Sequence, residues 1–136
     1  MSELIINALQ IQDKTSVTIL QLDGKFDRAT ANQVVDRARQ AREDGARNLL
    51  LDLSGVSMLT SSGLIAIQSI FKLFTPESDH ALMHNAKEQY KSPYVKLVCP
   101  DPKIYYVLNI AGFLQSLLIY NNLQEAINSF SGSAYA

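Results

Sequence analysis

Several residue types are scarce in this chain of 136 residues. Its single cysteine, Cys99, excludes an internal disulfide framework and a zinc site built on cysteines. The 12 basic and 13 acidic side chains nearly cancel, whereas electrostatic binders of nucleic acid usually carry a basic surplus. The most apolar helical stretch, 64–74, is too short to span a bilayer, and the start MSELIINALQ does not resemble a signal peptide. We therefore expect a cytoplasmic protein that contacts no nucleic acid directly and inserts into no membrane.

The overall composition is that of a folded domain. Hydrophobic residues make up 47% of the chain and charged residues 18%, which argues against disorder. The length suits one domain with one core, so we expect a single domain over 1–136. Residues 75–94 are polar and interrupted by prolines, and are predicted to form an excursion with one short helix around 81–90. Residues 131–136 are predicted to be a frayed tail.

The spacing of apolar residues predicts alternating strands and helices. Helices are expected where apolar residues recur every three to four positions, and strands where short β-branched or all-apolar runs occur. The predicted order is ββαβαβαβα, an α/β fold with a mixed central sheet of about five strands and about four helices. The strands are predicted at 5–12, 16–22, 48–53, 95–99 and 117–120.

Residues with capping chemistry mark the ends of the predicted helices. Thr30 and Gln33 fit a capping box at the start of the first helix, with Asp27 as the competing start. Gly45 suits the position after that helix, where a left-handed backbone costs glycine little. Further capping residues are expected at Asp101, Gly112, and Asn121 or Asn122.

Glycine and serine mark the expected ends of the second and third strands. Gly24 is predicted to break the second strand, and Ser54-Gly55 to begin a loop that leads to the second helix. Asp52 ends the third strand, where some α/β enzymes keep a catalytic carboxylate. A loop or capping role is the preferred interpretation of Asp52.

The run LLLDLSGVSMLTSSGL at 49–64 resembles the central signature of the STAS family, the sulfate-transporter and anti-sigma-factor-antagonist domains. That signature is an apolar strand, Asp-Leu-Ser, a short loop, and Asp-Ser-Ser-Gly-Leu at the start of a helix. The segments GKFD at 24–27 and 107–126 resemble further parts of the family pattern in the same order. The resemblance covers almost the whole chain except 75–94, and implies a mixed sheet with helices mainly on one side.

The resemblance also implies a function. Many stand-alone members are switch proteins in which a serine kinase, itself an anti-sigma factor, phosphorylates the first serine of Asp-Ser-Ser-Gly. The unphosphorylated protein binds that kinase and frees a sigma factor, and a phosphatase restores this form. Ser61 matches the phosphorylated serine by position, and Ser62 and Thr60 are weaker candidates.

General physical chemistry allows such a role for Ser61. Ser61 and Ser62 lie where a loop enters a helix, an end with unpaired N–H groups and a partial positive charge. A phosphate there would be tolerated by the fold, yet would repel a partner packed on the same place. Gly63 is expected to leave room for another chain. The alternative is that either serine is simply an N-cap.

Thr60 departs from the family pattern, which has Asp before the serine. The loss of the carboxylate removes a charge that could help to recruit or orient a kinase. It therefore keeps open a second function, that of a STAS scaffold or regulatory subunit of a signalling complex or membrane transporter, without phosphorylation.

A partner-binding surface is predicted around Ser61. Ile65 falls within the polar arc of the second helix and Leu64 at its edge, although isolated exposed apolar residues are common. The loop before the helix and the loop after the second strand should join this surface. The predicted partner-binding residues are Asp23, Asp27, Ser57, Met58, Leu59, Thr60, Ser62, Gly63, Leu64 and Ile65.

Other constellations point to no catalysis. His80 and His84 have the i, i+4 spacing of metal ligands but lack the Glu of His-Glu-x-x-His, so a solvated segment is the preferred interpretation. The sequence has no glycine-rich phosphate loop and no Gly-x-Ser-x-Gly elbow. We expect no enzyme, metal or cofactor.

Overall fold

The computed structural model describes residues 4–12, 16–77, 79 and 91–131. Five strands form one mixed sheet in the order β1-β2-β3-β4-β5, in which β1 is antiparallel to β2 and the later neighbours are parallel. The strands are β1 (Leu4–Gln12), β2 (Ser16–Phe26), β3 (Leu49–Leu59), β4 (Val95–Val98) and β5 (Leu118–Tyr120). The helices are α1 (Ala31–Glu43), α2 (Ser61–Phe74), α3 (Pro102–Ile110) and α4 (Leu123–Ser131). The predicted fold class and element order are confirmed.

The helices are divided unequally between the two faces of the sheet. The larger core lies under α1, α2 and α3, which contribute residues such as Val34, Ile67 and Leu108. Helix α4 packs on the other face, where Ala126 contacts the smaller cluster around Ile19 and Leu50. The expectation that the helices lie mainly on one side is therefore confirmed.

A buried lysine ties α4 to the sheet. Lys96 of β4 is 6% exposed, and its Nζ donates hydrogen bonds to the Ser129 carbonyl oxygen at 3.3 Å and Oγ at 2.9 Å. The same ammonium lies 4.3 Å from the centroid of the Phe130 ring, a cation–π contact. Burial lowers the pKa of Lys96, because desolvation disfavours the charged form.

The second and third strands are longer than predicted. Gly24 lies within β2 at φ 129° and pairs with Val56, so the prediction that it breaks the strand is wrong. Ser54 and Gly55 likewise lie within β3, because two irregularities in the β2–β3 register let the ladder continue. Each inserts one extra residue on β3, which is the geometry of a β-bulge.

Most predicted helix ends are confirmed. Gly45 follows α1 at φ 107°, and the Asp101 carboxylate accepts the Lys103 N–H at 2.9 Å. Of the two candidates at α4, Asn122 is the cap, since its Oδ1 accepts the Glu125 N–H at 2.9 Å. Gly112, at φ 87°, ends α3 as predicted.

The predicted capping box at α1 is wrong. Thr30 does precede α1, but the Gln33 N–H bonds to the Thr30 carbonyl oxygen at 3.1 Å instead of its side chain. Thr30 Oγ1 donates to the Lys25 carbonyl oxygen at 2.7 Å and accepts the Asp27 N–H at 3.0 Å. The hydroxyl therefore holds the β2–α1 turn together.

Some predictions fall outside the described residues. These are most of the excursion, including the helix expected at 81–90 with His80 and His84, and the tail from 132 onward. Ser131 itself belongs to α4. No helix in the described part of the chain is long and apolar enough to cross a membrane. Within that same part, no cluster of potential metal ligands occurs.

Cys99 gives a pH-dependent test of the core. It is 1% exposed, and burial, followed by the charge of Asp101, raises its pKa from 9.0 to about 11. Because the folded state holds this proton more tightly than the unfolded state, the resulting stability is complete below pH 9 and is lost as the pH rises to about 11. We expect the unfolding free energy, measured in urea, to fall more steeply over this range than in Cys99→Ala. Parallel pH curves for the two proteins would contradict the assignment.

Candidate functional site

The candidate site lies where β2 and β3 end and α2 begins. Phe26 and Leu59 are register partners at the ends of their strands. The Phe26 carbonyl oxygen accepts the Thr60 N–H at 3.2 Å. The residue before α2 is thus hydrogen-bonded to the end of the neighbouring strand, which fixes the first turn of α2 relative to the sheet.

Gly63 allows this close approach. A Cβ atom at Gly63 would lie 2.7 Å from the Phe26 carbonyl oxygen and 2.7 Å from Leu59 Cδ1. Gly63 is buried, so the space beside it is filled by this chain. The expectation that the glycine leaves room for another protein is therefore wrong: it leaves room for Phe26 and Leu59.

The three hydroxyl groups of the Thr-Ser-Ser run differ in environment. Ser61, the first residue of α2, is exposed, and Ser62 is partly buried. Thr60 Oγ1 is buried and has no hydrogen-bond partner among the described residues. It does not cap α2, although Thr60 stands at the N-cap position. Of the three, Ser61 is the residue most open to another protein.

An open depression of about 660 Å³ surrounds Ser61. We call it the Ser61 depression, and it combines the start of α2, the end of β3 and the turn before α1. The residues that line it are Asp27, Arg28, Ala29, Met58, Thr60, Ser61 and Ser62.

The charges around Ser61 favour an anion more than the sequence suggested. No acidic residue lies in the first turn of α2, and the N–H groups of such a turn carry partial positive charge. Asp27 is engaged locally, because its Oδ1 accepts the Ala29 N–H at 3.0 Å. Arg28 is exposed and lines the same depression. The sequence analysis did not identify Arg28. The available signal was its position directly after the GKFD segment, which ends at Asp27.

The predicted partner-binding residues separate into three groups. Asp27, Met58, Thr60 and Ser62 line the Ser61 depression. Asp23, Ser57, Leu64 and Ile65 are exposed or partly exposed nearby on β2, β3 and α2, but do not line it. Leu59 and Gly63 are buried and face the core.

Two exposed apolar side chains lie near Ser61. Met58 is 44% exposed and Ile65 is 64% exposed, which confirms that Ile65 faces solvent. The bulges in β3 account for Met58, because they replace strict alternation with pairs of exposed residues between buried ones. Two exposed apolar residues therefore lie near an exposed serine.

Asp52 supports the backbone of β3. It is 6% exposed, and its Oδ1 accepts hydrogen bonds from the Ser54 N–H at 3.0 Å and the Ser54 hydroxyl at 2.5 Å. Gln21 Nε2 donates to Oδ2 at 3.4 Å. These contacts stabilise the strand beside the first bulge. Asp52 lies within β3, so the prediction that it has a loop or capping role at the end of the strand is wrong.

The orphaned hydroxyl of Thr60 generates a stability prediction. Thr60→Val removes a buried polar group that has no partner in the described part of the chain, so we expect the unfolding free energy to rise by about 1 kcal/mol. Thr30→Val is the matched control, because its hydroxyl bonds to both Lys25 and Asp27. We expect that variant to lose about 1–3 kcal/mol. Urea unfolding measures both, and equal losses in the two variants would contradict the assignment.

Comparison with known proteins agrees with this fold. The family model described as the STAS domain matches residues 8–126. No curated protein matches the sequence significantly. Solved structures do match. The three structures given below are at most 20% identical in sequence to this chain, so the match shows the fold alone.

Three solved structures illustrate the similarity. An anti-sigma factor antagonist from Mycobacterium paratuberculosis superposes with a TM-score of 0.71 at 19% identity, over 93% of this chain and 94% of that one. A proposed anti-sigma factor antagonist from Thermotoga maritima gives 0.67 at 20% identity, over 92% and 93%. The Bacillus cell fate determinant SpoIIAA in its phosphorylated form gives 0.60 at 15% identity, over 91% and 97%. With the family model matching most of its length, the chain belongs to the STAS domain family.

Proposed function

We propose that this chain is a partner-switching protein of the anti-sigma-factor-antagonist type, controlled by reversible phosphorylation of Ser61. The observation that carries the proposal is the exposed Ser61 at the start of α2, beside exposed Met58 and Ile65. The function is binding and release of a protein partner, and the chain itself is not an enzyme. Its partners would be a serine kinase that acts as an anti-sigma factor, and a phosphatase, all in the cytoplasm.

Burial favours Ser61 over its neighbours as the modified residue. A kinase must bring the acceptor hydroxyl to its own active site, which requires an accessible oxygen. Thr60 Oγ1 is buried, and Ser62 is less open than Ser61. Ser61 therefore requires the least rearrangement of α2.

The charge of the phosphate would provide the switch. Phosphorylation adds about 1.5 to 2 negative charges at pH 7. The N-terminal turn of α2 and Arg28 would offset this charge within the chain, so the fold would persist. A partner packed against Met58 and Ile65 would instead have to desolvate the dianion. Its affinity would fall without refolding of this protein.

Thr60 gives weight to a second candidate function. A carboxylate in its place would add charge beside Ser61, and its absence fits a constitutive STAS scaffold or regulatory subunit of a signalling complex or transporter. In that case the same exposed residues would bind a partner permanently. Co-purification of an ATPase or permease, with neither kinase nor phosphate, would select this alternative.

Replacement of Ser61 tests the modification site. We expect Ser61→Ala to abolish phosphate incorporation by the kinase that co-purifies from the native cytosol, because the acceptor oxygen is removed. Intact-mass measurement after incubation with ATP gives the readout. Ser62→Ala and Thr60→Val are the matched controls and should retain the added phosphate. Full phosphorylation of Ser61→Ala would refute the assignment.

Replacement of Ile65 tests the partner surface. Burial of one large aliphatic side chain contributes about 1.5–3 kcal/mol, so Ile65→Lys should weaken binding of the captured partner by about tenfold or more. Titration calorimetry with the unphosphorylated protein measures the change. Tyr106→Lys on α3 is the control, since Tyr106 is 63% exposed but does not line the Ser61 depression. Equal affinity of the two variants would contradict the predicted surface.

A further inference from the structure

The outer side of β1 is unpaired within the described part of the chain. β1 lies at one edge of the sheet, and no described strand pairs with its other side. Its nine residues, LIINALQIQ, contain no charge and no proline. Its register with β2 runs from Leu4 to Gln12 without a bulge. Natural edge strands are usually protected by charge, proline, a bulge or short length, and β1 has none of these protections.

Two of the exposed large apolar side chains lie on this strand. Ile5 is 59% exposed and Leu9 is 44% exposed. Alternation along a strand puts Ile5, Asn7 and Leu9 on the same face, and the pairing of Leu9 with buried Ile19 shows that it is the face covered by α4. The two side chains are thus symmetric about Asn7, which is also exposed.

We propose that β1 pairs with β1 of a second copy of this chain, antiparallel and with a two-fold axis at Asn7. An interface of this symmetry must be complementary to itself. In this register Ile5 of each copy lies opposite Leu9 of the other, so all four apolar side chains cover one another. If the axis lay at Ala8, Leu9 of each copy would instead lie opposite the polar Asn7 of the other, and Leu9 would have no apolar partner.

Charge is compatible with this pairing. β1 itself brings no like charges together. Beside it, an open groove of about 340 Å³ separates Ala8, Leu9 and Gln10 from α1, which contributes Arg37 and Asp44 to the groove. Like-charge repulsion between the paired strands therefore does not oppose the dimer, and apolar contact favours it.

The dimer is weak and is separate from the Ser61 depression. One pair of strands buries less than the roughly 1,200–2,000 Å² of a stable interface, so association depends on protein concentration. None of the β1 residues lines the Ser61 depression. The inference therefore stands whether or not Ser61 is phosphorylated.

Cysteine cross-linking tests the pairing and its register together. Opposed residues of an antiparallel ladder have Cα atoms about 4.5–5.5 Å apart, within the about 4.4–6.8 Å of a disulfide. We expect Asn7→Cys to form a covalent dimer under mild oxidation, in a Cys99→Ala background that removes the native thiol. Tyr106→Cys, at an equally accessible site on α3, is the control and should stay monomeric. Circular dichroism verifies that each variant is folded.

Mixed cross-linking defines the axis. Ile5→Cys mixed with Leu9→Cys, one of them carrying a mass tag, should give mainly the mixed dimer. Sedimentation velocity over a concentration series should show that Leu9→Lys shifts the protein toward monomer, while Ile110→Lys on α3 does not. Cross-linking of Asn7→Cys no faster than that of Tyr106→Cys would overturn the pairing. A preference of Ile5→Cys for itself over Leu9→Cys would overturn the antiparallel register.

Discussion

The contact between the end of β2 and the first turn of α2 determines the geometry of the candidate site. The Phe26 carbonyl oxygen accepts the Thr60 N–H, and Gly63 packs so closely on Phe26 and Leu59 that a Cβ atom could not be inserted. This contact fixes which side of α2 faces the core. The orientation of the neighbouring residues follows: Ser61 and Ile65 face solvent, and Ala66 and Ile67 face the core.

The irregularity of β3 is a second constraint on the same region. A regular strand with one face in the core would alternate buried and exposed residues, whereas the second half of β3 has pairs of exposed residues, and Met58 belongs to the second pair. Each bulge adds a residue on β3 only, which increases local twist and redirects the side chains that follow. Asp52 stabilises the backbone beside the first bulge through Ser54.

The core elements could be predicted from sequence because their signals are local and periodic. The all-apolar run before Asp52 and the capping residues Gly45 and Asp101 each agree with the structure. The ends of β2 and β3 could not be predicted from the sequence, because the pairing that keeps Gly24 and Gly55 within strands is non-local. Local glycine and serine signals favour a break there, and the ladder overrides them.

Only part of the candidate site could be predicted from the sequence, because the rest also depends on non-local contacts. The position of Ser61 follows from a contiguous motif. The burial of Thr60 Oγ1 and the closeness of Arg28 depend on how the turn before α1 packs against α2, through Thr30 and Asp27. Likewise, the role of Gly63 depends on Phe26, which is distant in sequence. Contacts of this kind carry no signal in a single sequence.

The unequal cover of the two sheet faces has a consequence for motion. α4 rests on a small apolar cluster and on the hydrogen bonds of Lys96 to Ser129, whereas α1, α2 and α3 share the larger core. Free energies of local opening follow the apolar contacts that an element must break. Amide protons of α4 should therefore exchange with solvent through partial opening, while those of β3 exchange only when the whole domain unfolds.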